Sequence, residues 1–127
     1  MTTFAELAHL ARGIWSQYGP KSGEKLTDRH CIALEKARGR ALKKVGARPG
    51  QSRWFEVEFD RIIWTSELGK PSNTGGIHAS CWEDAILHRA MWPETHQARV
   101  IDVRRIYFAG EPTVWDDVFA ELDKEKP

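Results

Sequence analysis

A chain of 127 residues with 41% apolar residues, 29% charged residues and six tryptophans has the size and make-up of one globular domain, which excludes disordered and fibrous classes. Two cysteines, Cys31 and Cys81, cannot build a disulfide framework, and no apolar run reaches the roughly 20 residues of a membrane-spanning helix. The net charge of +1 hides a segregation, with cations gathered in residues 28–45 and acids (Glu111, Asp116, Asp117, Glu121, Asp123, Glu125) gathered towards the end. The N-terminus lacks the basic and apolar regions of a secretion signal, so the expectation is one cytoplasmic domain over residues 1–127 with a frayed tail at 123–127.

Phe4, Leu7, Ala8, Ala11, Ile14, Trp15 and Tyr18 recur at steps of three and four, which predicts an amphipathic helix over residues 3–18 capped by Thr2 or Thr3 and stopped by Gly19-Pro20. A second helix follows the polar 21–25 loop, capped by Thr27 or Asp28, with Cys31, Leu34, Ala41, Leu42 and Val45 facing inward and Gly46 ending it. Gly39 in its middle costs about 1 kcal/mol relative to alanine, so either the helix bends there or something packs or binds closely against the missing side chain.

After the Arg48-Pro49-Gly50 turn, Phe55, Val57 and Phe59 alternate with Glu56, Glu58 and Asp60 as in a half-buried strand, which Ile62-Ile63-Trp64 would prolong. Residues 66–77 show no apolar periodicity and are expected to form a long loop. Ser80 and Glu83 form a capping box before a third helix carrying Trp82, Ala85, Ile86, Ala90 and Met91, which Trp92-Pro93 ends. Residues 98–108 are β-branched and aromatic enough for a second strand, and Val114, Trp115, Val118, Phe119 and Leu122 mark a last helix. The fold class is therefore α+β, a small antiparallel or mixed sheet packed by about four helices in the order α-α-β-α-β-α. Two strands make a poor sheet, so a third is expected at 47–52 or 74–79, or a homodimer completes it.

The basic row carries the leading functional expectation. Arg29, Lys36, Arg40 and Lys43 recur at steps of seven, four and three, and Arg38, Lys44, Arg48 and Arg53 extend the positive field. Cations in line on one surface release counterions from phosphates together, which points to a non-enzymatic module binding nucleic acid or a nucleoprotein. The competing reading is a solvated face whose cations pair with Glu35 and other acids. The 19–26 connection is too long for a helix-turn-helix. Small size and charge segregation also suit a phage or mobile-element inhibitor of a host complex acting by protein contact, with Trp54, Trp64 and Trp92 near element ends as anchors. A third arrangement pairs the acidic last helix with a neighbour's basic helix in an oligomer.

Among enzymes, the candidate is a metal-independent ribonuclease with His78 as base or acid, His96 or His30 as its partner, and Arg104 or Lys70 as the cation; His88 is a further histidine without diagnostic spacing. His30-Cys31 and His78-x-x-Cys81 offer four zinc-type ligands, but adjacent helical residues diverge by about 100°, so no metal and no cofactor are expected. The Gly69–Gly76 run lacks the order of a nucleotide-binding phosphate loop. Glu56, Glu58 and Asp60 share a strand face about 7 Å apart, where Arg99, Arg104 or Arg105 on a paired strand could oppose them.

Overall fold

The computed structural model describes residues 2–107. Helix α1 (Phe4–Tyr18) begins at Thr3, whose hydroxyl accepts the Glu6 amide while the Glu6 carboxylate accepts the Thr3 amide, closing a full capping box. Helix α2 (Asp28–Lys44) is capped by Thr27, with His30 in the reciprocal role, and Gly46 turns the chain out at φ +74°. Strand β1 (Arg53–Phe59) leads into a bend at 60–63, a short hairpin of β2 (Trp64–Thr65) and β3 (Pro71–Ser72), and strand β4 (Thr74–Ala79). Helix α3 (Trp82–Met91), a 3-10 turn (Pro93–Thr95) and strand β5 (Val100–Ile106) complete the described order.

The sheet is antiparallel in the order β4-β1-β5, with β1 in the centre and a register shift against β5 at Glu58/Phe59. Helix α3 lies across one sheet face, α1 packs on α3, and α2 flanks both. Phe55, Val57, Phe59, Ile77, Ala79 and Val103 supply the sheet side of the core, and Leu7, Ala11, Ile86, Leu87 and Met91 supply the helical side. The α+β class stands on three helices and a small antiparallel sheet among the described residues. The fourth helix, with Val114 and Trp115, and the frayed tail at 123–127 lie outside the described residues.

Several expectations are corrected. Residues 66–77 are not one loop: 71–72 and 74–77 are extended, and Thr74–Ala79 pairs with β1 throughout. Glycines hide this strand from any apolar pattern, and at Gly75 the missing side chain leaves room for the Arg89 guanidinium, which a methyl group there would displace. Ile62-Ile63-Trp64 does not continue β1; Ile63 turns into the core and Trp64 opens the separate hairpin. The N-cap of α3 is Cys81 with no side-chain cap, and the Ser80 hydroxyl donates to Asp84 rather than forming a box with Glu83. Cys31 is exposed, not inward-facing, and Trp82 is 36% exposed, touching Phe4 edge-on.

Candidate nucleic-acid interface

Helix α2 buries Leu34, Ala37, Ala41 and Leu42 against α1 and α3. At 100° per residue Arg29, Lys36, Arg40 and Lys43 fall within about 60° of one another on the side facing away, and Lys44 lies beside them. All five are exposed, as is Arg48 just beyond the helix. The row from Arg29 to Lys43 runs about 21 Å along the axis. None of these six cations makes an ion pair among the described residues; Arg40 alone has a ring partner, its guanidinium 5.4 Å from the Tyr18 ring centre. Glu35 is exposed and pairs with none of them. Lys43 and Lys44 in the last turn suit the negative end of the helix dipole, but Lys36 and Arg40 sit one turn apart as like charges, which costs a few tenths of a kcal/mol.

Two members of the expected row lie elsewhere. Arg38 is half a turn round from Arg29, and its Nε donates to Asp84 Oδ1 at 2.9 Å with the two side chains only 19% and 11% exposed. Asp84 also accepts the Ser80 amide and hydroxyl, so this pair ties α2 to the start of α3. Arg53 opens β1, is half-buried, and donates to Gln51 Oε1 at 2.6 Å.

Beside Arg38, α2 and α3 border a solvent-open cleft of about 340 Å³ between Cys31, Leu34, Glu35, His88 and Trp92. Burial, reinforced by the Arg38 charge, pushes the His88 imidazole down to about 4, so it is neutral at pH 7. Burial also pushes the Cys81 thiol up, leaving it protonated and unreactive.

The ribonuclease candidates are distributed. His30 is occupied in the α2 cap, and His96 Nε2 meets the Met91 carbonyl at 2.7 Å behind the 3-10 turn. His78 stands on the outward sheet face with Nδ1 3.0 Å from Ser52 Oγ, its ring edge-on to Trp54. Arg104 is on the opposite edge strand with β1 between, about 10 Å away, and is bound by Glu56 and Glu58, which hold its guanidinium pKa above the usual value. Lys70 lies exposed on the hairpin. No group of three or more His, Cys, Asp or Glu suited to a metal occurs among the described residues.

The carboxylate row of β1 is neutralised across the strands. Arg104 reaches Glu56 and, at 3.5 Å, Glu58, and Arg99 pairs with Asp60 at 3.0 Å. The Arg99 amide and guanidinium together hold the Asp60 carboxyl below the usual carboxylate range. Arg105 instead donates to the Trp54 carbonyl at 3.2 Å.

Sequence reasoning missed the Arg38–Asp84 pair and the neutral His88. Helical phase carried a signal for the first, since Arg38 is 180° from Arg29 at 100° per residue; nothing local signalled the second. Among the described residues no helix is long and apolar enough to cross a membrane. Comparison with protein-family models, with curated proteins and with solved structures finds no match for this chain.

Proposed function

We propose that this protein is a non-enzymatic binding module that takes nucleic acid, or the nucleic-acid surface of a nucleoprotein, on the outward side of α2. One observation carries the reading: Arg29, Lys36, Arg40, Lys43 and Lys44 are exposed along one side, Arg48 is exposed just beyond the helix, and none of the six is ion-paired among the described residues. A helix face held at a high density of uncompensated positive charge gains most from a ligand whose charges are equally dense, and a phosphate backbone is such a ligand. Arg38 and Arg53, turned to intramolecular partners, are left out of the contact set.

The test is fluorescence anisotropy of labelled DNA and RNA across a salt series. With five or six phosphate contacts, log K against log salt falls with a slope of about −4.5 to −5.5 on a duplex. Replacing Lys36, Arg40 and Lys43 together with Glu reduces binding by at least about a hundredfold and flattens the slope by about three. A wild-type protein that binds neither DNA nor RNA at low salt refutes the reading.

A second reading, an inhibitor of a host complex acting by protein contact, is favoured by a different observation. Ile62, Trp64 and Leu68 at the β2–β3 hairpin are 60%, 49% and 86% exposed, an apolar knob suited to anchoring a protein interface. Capture of a partner from nuclease-treated lysate, lost on Trp64→Ser with Leu68→Ser but kept by the α2 triple variant, would select it over the first.

A further inference from the structure

We infer that Gly39 is a contact residue of the same surface, forming with Lys36 and Lys43 a notch in which a nucleic-acid phosphate backbone lies against the bare main chain of α2; this rests on the reading proposed above. Glycine is among the poorest helix formers, and Gly39 occupies the middle of a continuous 17-residue helix. Its common structural justifications fail here. A Cβ built at Gly39 meets nothing within 4 Å among the described residues, so no described element needs the space, and its φ does not lie in the left-handed region.

What surrounds it is specific. Lys36 and Lys43 stand three residues before it and four after it, so both are its immediate neighbours along the helix surface, and Arg40 adjoins it on the side of the cation row. The two lysines are about 10 Å apart along the axis, with Arg40 between them on one flank and Gly39 on the other, and Glu35 and Leu42 are the remaining neighbours of Gly39 at four and three residues. Lys36, Arg40 and Lys43 wall the glycine with positive charge on one flank, Glu35 and Leu42 bound the other, and the floor is peptide backbone. A chain of phosphodiesters matches the cationic flank in charge, with each lysine on a different phosphate.

Gly13 supplies an internal control. It too is an exposed glycine in mid-helix, on α1, and a Cβ there also meets nothing within 4 Å. Its neighbours three and four residues away are Leu10, Ser16, His9 and Gln17, with no lysine or arginine among them.

The experiment compares Gly39→Leu, Gly39→Ala, Gly13→Leu and the wild type in the full chain, by thermal melting and by anisotropy with a labelled 30-base-pair DNA duplex and a 30-nucleotide single-stranded RNA. Removing a helical glycine raises Tm by about 3–5 °C at either position. On whichever probe the wild type binds, Gly39→Leu weakens affinity at least tenfold and Gly39→Ala about threefold, while Gly13→Leu stays within twofold; the preferred probe distinguishes DNA from RNA as the source of the backbone. A more stable Gly39→Leu protein that binds like wild type overturns the inference. So does a fall in its Tm, or an equal loss of affinity at Gly13. If the Lys36, Arg40, Lys43 reversal abolishes binding and Gly39→Leu does not, the notch alone is wrong; if neither changes binding, or the wild type binds neither probe, the proposed function falls with it.

Discussion

The outward side of α2 and the outward face of the sheet both carry rows of charge, and they handle it in opposite ways. On the sheet, Glu56, Glu58 and Asp60 each face a guanidinium supplied by β5 or its approach, from Arg104 or Arg99. Among the described residues, Arg38 is the only lysine or arginine of α2 with an acidic partner, and it is the cation that turned inward. The difference comes from what stands opposite. A central strand has a neighbour about 5 Å away on each side, so a complementary residue from far along the chain can be set against each charge. Among the described residues the flanking helix has no facing element on its outer side, and none of the residues three or four positions from Arg29, Lys36, Arg40, Lys43 or Lys44 is an acid. A row of charge is therefore informative in proportion to what the tertiary structure leaves uncompensated.

Four perturbations sharpen this contrast. The largest effect is expected at the part-buried ion pair between α2 and α3: Asp84→Ala strands Arg38 and two Ser80 donors, and urea denaturation should show a loss of about 3 kcal/mol. A change below about 0.5 kcal/mol would mean that the inward and outward cations of α2 do not differ energetically.

Next is acid. Burial and Arg38 disfavour the His88 imidazolium in the fold, so between about 4 and the ordinary 6.5 the unfolded chain binds the proton and the folded chain does not. Stability is full above that window and falls as pH drops through it, by about 1–2 kcal/mol once screening of a part-exposed ring is allowed for. Urea midpoints at pH 7 and pH 4.5 should record the fall, and His88→Gln should remove most of it. The Asp60 carboxyl, with its lowered pKa, contributes a separate loss only at more acid pH.

On the sheet, Arg104→Met removes a guanidinium that serves two carboxylates at a 54% exposed position, so only a small loss of stability, well below that of Asp84→Ala, is expected. A double-mutant cycle with Glu56→Gln measures the coupling, which should shrink in 1 M salt. Smallest is Lys36→Glu, which converts the like-charge pair with Arg40 into an attractive one and should raise stability by about 0.5 kcal/mol while weakening polyanion binding. A stability loss would show that Lys36 serves the fold.

Much of the fold was legible because local periodicity reports local structure. The helices at 4–18 and 28–44 and the strand at 53–59 announce themselves through apolar spacing and through Thr3, Thr27 and Gly46 at their ends. Strand β4 was legible only as one of two places, 47–52 or 74–79, where a third strand was needed: Gly75 and Gly76 erase the alternation that would have marked it, and the Arg89 guanidinium packed over Gly75 comes from fourteen residues onward on α3. The capping box at Ser80 and Glu83 misled for a similar reason, since Asp84 gives the Ser80 hydroxyl a partner that also holds Arg38 across the helix interface. Of the candidate interface, the phase of Arg29, Lys36, Arg40 and Lys43 is a property of helical geometry alone, so the sequence by itself determined that they share a side. Which cations remained uncompensated was decided only when the chain closed: that outcome depends on the acids that folding sets within about 4 Å, and those acids, Asp84 from α3 for Arg38 and Glu56 from β1 for Arg104, stand 46 and 48 residues away.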